Sequence, residues 1–167
     1  MEYLFRKAEN KDLMEVISLF QEVIANMIKH QLFQWDEMYP NEQVLSEDIN
    51  KAQMYLLTKD EKIIACVVIN EVQDEEYQSG HWSYTSGKLA VIHRLCVRPS
   101  AQGAGCGKKM VRLAEEQAKS DGYEIMRLDA FSQNLGARHV YETLGYTYAG
   151  EVTFRKGLFY LMEKALG

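Results

Sequence analysis

The sequence predicts an α/β domain with a central mixed sheet of about six to seven strands and about four helices packed on it. Two observations predict this class. Short apolar segments of strand length recur along the chain, and the segments between them carry apolar residues at three- and four-residue steps. The resulting order is strand, helices, three strands, helix, strand, helix and two strands, which is typical of helices packed against one sheet.

The first third of the chain predicts one strand and two helices. Residues 2–7 alternate loosely as a strand, and Asn10 is placed to cap a helix over residues 12–30. The apolar residues of that helix form a single stripe, at Leu13, Val16, Ile17, Phe20, Ile24, Met27 and Ile28. Residues 35–41 are irregular, and residues 44–51 predict a short second helix.

The remainder of the chain predicts a hairpin, a long loop and an alternation of strands and helices. Residues 54–59 and 62–70 form strands on either side of the Asp60-Glu61 turn. Residues 71–87 are polar with scattered aromatic side chains, which predicts a loop. The later elements are a strand over 89–97, a glycine-rich turn over 103–107, a helix over 108–120, a strand over 124–130, a helix over 134–144, and strands over 146–152 and 158–164.

Length, charge and cysteine content exclude several classes of protein. The chain has 167 residues, of which 47% are apolar and 26% charged, so we expect one domain over 1–167. The 19 basic and 24 acidic residues give a net charge of −5, which argues against a nucleic-acid partner. The longest apolar run, residues 63–69, is far shorter than the ~20 residues of a membrane span. Without a signal-peptide pattern, and with three cysteines at no metal-binding spacing, we expect a cytoplasmic protein with no membrane or metal partner.

The strongest local feature is the glycine-rich turn between a predicted strand and a predicted helix. Successive backbone N–H groups at such a turn, together with the helix dipole, favour a phosphate or pyrophosphate. A Walker A loop needs four residues before its final Gly-Lys-Ser/Thr, whereas Gly103 and Gly107 enclose three and Lys109 replaces the hydroxyl residue. A dinucleotide turn needs a glycine at its sixth position, which Lys108 or Met110 occupies here.

A third phosphate-loop pattern fits. The segment Gln102-Gly103-Ala104-Gly105-Cys106-Gly107 matches Gln/Arg-x-x-Gly-x-Gly/Ala and resembles the acyl-CoA pyrophosphate loop of the GNAT superfamily of N-acetyltransferases. The resemblance covers residues 89–146 in order, and the rest of the chain more loosely. It includes Asn134, then Tyr141, then a Leu-Gly-Tyr ending at 144–146. It implies a mostly antiparallel sheet that splays at a central parallel pair of strands.

The resemblance implies acetyl-CoA as the cofactor. In the family, backbone N–H groups of the loop bind the pyrophosphate, and the matching residues are Gln102, Gly103, Ala104, Gly105, Cys106 and Gly107. Lys108 either adds positive charge there or is a solvated helix residue. Main-chain groups of the preceding strand pair with the pantetheine arm, and the matching residues are Leu95, Cys96 and Val97.

The resemblance also implies roles for the helix over 134–144. Asn134 would contact the pantetheine, and the small Ala137 would leave room for the cofactor on the same helix face. Tyr141 would be the general acid that protonates the departing sulfur, because a phenol with a pKa of ~10 carries its proton at neutral pH. Without the motif, a tyrosine at this position would be read as a core residue.

The base that takes the proton of the amine has no certain match. A glutamate that often serves as base in the family is replaced here by Val91. His93 lies on the same strand face as Val91 and matches a histidine that helps to relay the amine proton in serotonin N-acetyltransferase-like members. The alternative is a structural histidine bonded within the sheet. Arg94 is expected to point to the opposite face of the strand and to be structural.

Aromatic residues flanking the central strand are candidates for the acceptor site, namely Trp35, Tyr39, Tyr77, Trp82 and Tyr84. They could line a pocket for an apolar or cationic amine, and the acidic run 74–76 could attract a cation. The alternatives are aromatic residues that cover the core and a solvated charge run.

Together these features predict an acetyl-CoA-dependent N-acetyltransferase. We expect it to move an acetyl group to a primary amine of a small molecule by direct attack in a ternary complex. A protein or peptide acceptor is one alternative, and a non-catalytic acyl-CoA sensor is another because the family glutamate is absent. Dimers are common in the family, so a homodimer is also open.

Overall fold

The computed structural model describes residues 2–167, and it contains seven strands and four α-helices within them. The strands are β1 (Tyr3–Lys7), β2 (Met54–Lys59), β3 (Lys62–Asn70), β4 (Leu89–Val97), β5 (Ile125–Phe131), β6 (Thr147–Phe154) and β7 (Gly157–Ala165). The helices are α1 (Leu13–Lys29), α2 (Glu42–Asn50), α3 (Cys106–Ser120) and α4 (Leu135–Thr143). The predicted fold class is confirmed.

The strands form a single sheet in the order β1-β2-β3-β4-β5-β7-β6. Every neighbouring pair is antiparallel except β4 and β5, which run parallel. That parallel pairing covers only three residue pairs, from Leu89 opposite Ile125 to Val91 opposite Arg127. Beyond this point β4 continues to Val97 and β5 to Phe131 without pairing with each other. The expected splay of the central parallel pair is therefore present.

Helices cover both faces of the sheet and bury its apolar residues. The stripe of α1 packs Val16, Leu19 and Phe20 against β2 and β3, with α2 on the same side. On the opposite face α3 buries Met110 and Val111 against β3, β4 and β5. Each such buried side chain contributes about 1.5–3 kcal/mol of transfer free energy. No helix in residues 2–167 combines the length and apolar character that a membrane crossing requires.

A β-bulge interrupts β4 at Arg94. Val68 of β3 faces His93 and Cys66 faces Cys96, so two residues of β4 stand opposite the single residue between them. Arg94 takes a φ of +48°, a conformation that side-chain-bearing residues rarely adopt in a strand. The expectation that Arg94 faces away from His93 was wrong, because strict alternation of side chains does not hold across a bulge.

Element boundaries differ from the predicted ones mainly at helix starts. Asn10 is not a helix cap, because it lies in a 3₁₀ turn over Asn10–Asp12 in which Asp12 accepts the N–H of Glu9 at 2.8 Å. Asn41 caps α2 through its side chain, 3.0 Å from the N–H of Val44. Helix α3 begins at Cys106 rather than Lys108, so the glycine turn continues directly into the helix.

The long loop over residues 71–88 is fixed to the sheet rather than free. The guanidinium of Arg127 lies 4.0 Å from the Trp82 ring centroid and donates to the carbonyl oxygen of Tyr84. The carboxylate of Glu163 accepts the backbone N–H groups of Ser83 and Tyr84 at 2.7 and 3.0 Å. These contacts hold the loop in one position beside the diverging strands.

Candidate active site

A cavity of about 420 Å³ opens where β4 and β5 diverge. Its walls come from β4 and β5 beyond their last pairing, from one face of α4, from the segment between α1 and α2, and from the hairpin of β6 and β7. The lining residues are Gln34, Trp35, Tyr39, Asp74, Ile92, His93, Arg94, Leu95, Asp129, Ala130, Phe131, Asn134, Ala137, Tyr141, Phe154, Arg155, Lys156 and Phe159. A cavity of this size suits a small ligand.

The glycine loop presents a row of free backbone donors beside this cavity. Gly103 and Gly105 have φ of +85° and +78°, which glycine adopts without strain. A Cβ at either position would meet nothing within 4 Å, so the outer surface of the loop is open. The N–H groups of residues 103–108 bond to no acceptor in the described part of the chain. These donors, at the start of a 15-residue helix, favour a phosphate group.

Side chains of the loop do not themselves project as ligands. The Gln102 amide donates to the carbonyl of Val97 at 3.0 Å and so ties the loop to the end of β4. The Cys106 side chain is buried in the core beneath α3, and Lys108 is half-buried on the helix. What the loop offers to a ligand is therefore its main chain.

The second half of β4 offers main-chain groups on its β5 side. Leu95 lines the cavity, Cys96 is buried against the α1 face, and Val97 packs against the α3 face. No strand within residues 2–167 pairs with β4 on that side beyond Val91. An extended ligand could add there as a further strand.

The face of α4 places Asn134, Ala137 and Tyr141 along the cavity. Asn134 caps the helix by accepting the N–H of Ala137 at 3.1 Å, and it donates to the side chain of Gln34 at 2.9 Å. The Tyr141 ring is buried, yet its hydroxyl bonds to no other residue among 2–167. Burial raises the pKa of Tyr141 above its usual value, and the charge of Asp129 adds to this. The hydroxyl therefore keeps its proton at neutral pH.

His93 lines the cavity in its neutral form. Its Nε2 lies 3.0 Å from the carbonyl oxygen of Val72, and because a carbonyl only accepts, Nε2 carries the proton. Burial lowers the pKa of His93 to about 4, and the neighbouring Arg94 charge acts in the same direction. At neutral pH the ring is an acceptor through Nδ1 and a weak base.

Asp129 lines the cavity and was not among the predicted site residues. It lies on β5, and its carboxylate accepts the Tyr77 hydroxyl at 2.6 Å. Burial raises the pKa of Asp129 to about 6 against the lowering effect of that hydrogen bond. The signal was a single carboxylate in the otherwise apolar stretch Leu128–Phe131, five residues before Asn134. A lone acid in a buried strand is costly unless it has a partner or a function.

The bulge turns Arg94 into the same cavity as His93. Its guanidinium makes two 2.7 Å hydrogen bonds to the carboxylate of Asp48 on α2 and a third to the Tyr39 hydroxyl. Tyr39 and Trp35 line the cavity as expected, and Trp35 also packs against Phe20.

Three predicted acceptor residues lie outside the cavity. Tyr77 is only 2% exposed and packs in the core under the sheet, where its hydroxyl is committed to Asp129. Trp82 donates to the carbonyl of Tyr77. Tyr84 lies two residues further along the loop over residues 71–88, where Glu163 accepts its backbone N–H. The expectation for Tyr77, Trp82 and Tyr84 as lining residues was wrong, because Arg127 and Glu163 hold this part of the loop against the sheet. Asp74 is the residue of the acidic run that lines the cavity.

Comparison with known proteins decides the family. The profile of the acetyltransferase (GNAT) family matches residues 10–146, most of the chain. The chain belongs to the GNAT acetyltransferase family. A curated relative, the L-amino acid N-acyltransferase MnaT of Escherichia coli, is 28% identical over 74 residues, which is 44% of this chain and 43% of that protein. The chain matches less than half the length of the curated relatives to which it is similar.

Solved GNAT structures share the whole fold. An acetyltransferase of the GNAT family from Streptococcus agalactiae superimposes with a TM-score of 0.85 at 20% identity, covering 98% of this chain and 95% of that one. An N-acetyltransferase from Thermoplasma acidophilum, solved with coenzyme A, gives 0.73 at 19% identity and covers 99% of each chain. The chain therefore shares the fold of GNAT acetyltransferases, and structures with this fold have been solved with coenzyme A or acetyl-CoA.

Proposed function

We propose that this GNAT protein transfers the acetyl group of acetyl-CoA to the primary amine of a small molecule by direct attack in a ternary complex. One observation carries the proposal. The divergence of β4 and β5 brings a buried carboxylate, Asp129, and an unpartnered phenol, Tyr141, to one cavity of about 420 Å³. Proton removal and proton donation, the two demands of amine acylation, thus have separate groups.

The residues present fit a coenzyme A thioester. The free N–H groups of 103–108 suit its pyrophosphate, and the unpaired side of β4 over residues 95–97 suits its extended pantetheine arm. Asn134 and Ala137 form the facing wall on α4. When bound, the cofactor supplies an acetyl group activated as a thioester.

Asp129 acts as the general base. A carboxylate with a pKa of about 6 is largely ionised at pH 7 and still basic enough to accept a proton. His93, with a pKa of about 4, accepts a hydrogen bond and relays a proton through water rather than holding it. The Tyr77 hydroxyl keeps the Asp129 carboxylate oriented.

Tyr141 acts as the general acid for the sulfur. Its raised pKa keeps the phenol protonated, and the departing thiolate, in the same apolar surroundings, also becomes a stronger base. Starting from an ammonium, two protons leave the nitrogen as the C–N bond forms and the C–S bond breaks. One passes to solvent through Asp129, and the other replaces the proton that Tyr141 gives to the sulfur.

The test is thiol release from acetyl-CoA with a panel of small primary amines and peptides, together with Asp129→Asn. We expect turnover with at least one small amine, and a loss of about 10²–10⁴-fold in kcat/KM for Asp129→Asn. Acetyl-CoA binding should be unchanged in the variant. Tight binding of acetyl-CoA without turnover of any acceptor would support a sensor, and turnover of peptides alone would replace the small-molecule assignment.

A further inference from the structure

The two carboxylates that line the cavity have no basic partner among residues 2–167. Within the described part of the chain, Asp129 accepts a hydrogen bond from the neutral Tyr77 hydroxyl alone. Asp74, at the start of the 3₁₀ turn over Glu75–Ser79, forms no side-chain hydrogen bond or ion pair with any residue of 2–167. The two lie close enough for the charge of Asp74 to contribute to the raised pKa of Asp129, after burial.

The basic side chains of the cavity, in contrast, are already paired. Arg94 is held by both oxygens of Asp48, at 2.7 Å each. Arg155 and Lys156, on the hairpin of β6 and β7, both contact the carboxylate of Asp36. An anion at Arg94 would have to displace Asp48 from a buried pair, which is strongly unfavourable. Arg155 is half exposed, so its contact with Asp36 is weaker and more easily replaced.

The remaining wall is largely aromatic. Trp35, Tyr39, Phe131, Phe154 and Phe159 surround the space next to the carboxylates. Aromatic faces attract cations and exclude water from a hydrocarbon skeleton. The cavity therefore combines apolar walls with two carboxylates that form no ion pair within residues 2–167; the positive charge of Arg94 acts on both, but Arg94 is itself paired with Asp48.

We propose that the acceptor binds as an ammonium ion on an apolar or aromatic skeleton, with no carboxylate next to the nitrogen, and that Asp74 is the residue that selects it. The inference rests on the proposed function and narrows its substrate class. It separates this chain from its relative MnaT, which is an L-amino acid N-acyltransferase. A carboxylate on the amine-bearing carbon would face Asp74 and Asp129 with a like charge.

The experiment uses a matched substrate pair, phenethylamine and L-phenylalanine, which differ only in the α-carboxylate. Steady-state thiol release gives kcat and KM for each with the full chain and saturating acetyl-CoA. We expect phenethylamine to have at least about tenfold higher kcat/KM, because like charges at a shared site cost several kcal/mol. Faster turnover of L-phenylalanine would overturn the inference and leave the proposed function intact.

Asp74→Asn tests the selecting residue. Because the Asp74 side chain makes no hydrogen bond, the isosteric amide leaves the fold unchanged. We expect KM for phenethylamine to rise about tenfold, with kcat changed less than threefold. Glu75→Gln is the control, since it removes the same charge one residue away, outside the cavity lining. Equal effects of the two variants, or an unchanged KM in Asp74→Asn, would overturn the role of Asp74, and Asp74→Glu should restore most of the binding.

A pH profile distinguishes selection from a structural effect. The rate should rise as Asp129 ionises, with a midpoint near its pKa of about 6. Removing the charge of Asp74 should move that acidic limb to lower pH, because a neighbouring negative charge favours the protonated acid. The groups facing Asp129 that also shape this limb are Asp74, Tyr77, His93, Arg94 and Tyr141. An unshifted limb would mean that Asp74 does not act at the acceptor nitrogen.

Discussion

Burial acts on the two proton-handling residues of the cavity in the same direction, but with different chemical results. It raises the pKa of Asp129 to about 6, into the range where a carboxylate serves as a base near neutral pH. It also raises the pKa of Tyr141, so that the phenol stays protonated over the working range. One desolvated environment thus supplies an ionised acceptor and a neutral donor of protons.

Tyr141→Phe should slow turnover by about 10²–10⁴-fold without weakening acetyl-CoA binding, because it removes the proton donor and nothing else. The free energy of unfolding should change by less than about 1 kcal/mol, since the hydroxyl has no partner to lose. Stopped-flow thiol release and thermal unfolding measure the two effects. Tyr146→Phe is the matched control, because that ring packs edge-on against Tyr141 at 5.8 Å and lies outside the cavity lining. An unchanged rate in Tyr141→Phe would remove this residue from the role of acid.

The residues that sequence could place are those whose position depends on local spacing. Asn134, Ala137 and Tyr141 share one face of a short helix, and the structure keeps them on one wall of the cavity. Asp129 was missed because its burial and its contact with Tyr77, 52 residues away, depend on tertiary packing. Arg94 was wrongly oriented because nothing in the strand's composition marks the bulge.

Among the elements, the glycine loop and α3 show most directly how backbone conformation determines cofactor binding. Gly105 precedes the helix with a φ of +78°, and Gly122 follows it with a φ of +91°. Both conformations are unfavourable for residues with a Cβ, by about 1–2 kcal/mol. Only the first of these glycines belongs to the row of free N–H donors.

Gly105→Ala and Gly122→Ala should therefore cost similar stability and differ in cofactor binding. We expect each to lower Tm by about 2–8 °C, from the strain of a left-handed alanine. Gly105→Ala should weaken acetyl-CoA binding at least about tenfold, because relieving that strain reorients the peptide N–H groups. Calorimetric titration and thermal unfolding of the two variants measure this. Equal cofactor affinities would contradict the assignment of the loop.

Element types were predictable throughout, whereas their ends depended on contacts. Every predicted strand and helix is present, because apolar periodicity is set by burial and repeats over many residues. The observed helix starts differ from the predicted ones by a few residues. Capping residues such as Asn41 and Asp12 have neighbours in the sequence that could cap equally well. The short parallel pairing of β4 and β5 followed from the resemblance to GNAT proteins and not from local pattern.

At the scale of the whole molecule, one carboxylate joins the first third of the chain to its last hairpin. Asp36 accepts two hydrogen bonds from Arg155 at 3.0 Å each, and its Oδ2 forms an ion pair with Nζ of Lys156 at 2.7 Å. It also accepts the N–H groups of Met38 and Tyr39. This link spans the acceptor side of the cavity between the α1–α2 segment and the β6–β7 hairpin.

Asp36→Asn should lower Tm at neutral pH and raise KM for the amine, while leaving acetyl-CoA affinity unchanged. The amide oxygen still accepts from Met38 and Tyr39, so only the charge contacts are lost. Arg155, and then Lys156, hold the pKa of Asp36 well below its usual range. A lowered folded-state pKa gives stability that is present above the unfolded value of ~3.9 and is lost as the pH falls below it.

The Tm difference between the wild-type chain and Asp36→Asn should accordingly be full at pH 7 and shrink below about pH 4. Thermal unfolding across pH 3–7 follows this difference. Glu37→Gln, which removes a charge from the next residue, is the control and should show little change at any pH. A constant difference across the whole range would mean that the charge of Asp36 contributes nothing to the link.

The extra residue in β4 shifts the phase of the strand's two-residue repeat. Ala90 and Ile92 face α3 ahead of the bulge, and Leu95 and Val97 face it afterwards, so even positions give way to odd ones. Deleting Arg94 would remove the bulge and restore an unbroken repeat with Leu95 and Val97 still facing α3, but it would also remove the guanidinium from the cavity. The extra residue of β4 is thus required by the cavity and not by the packing beneath α3.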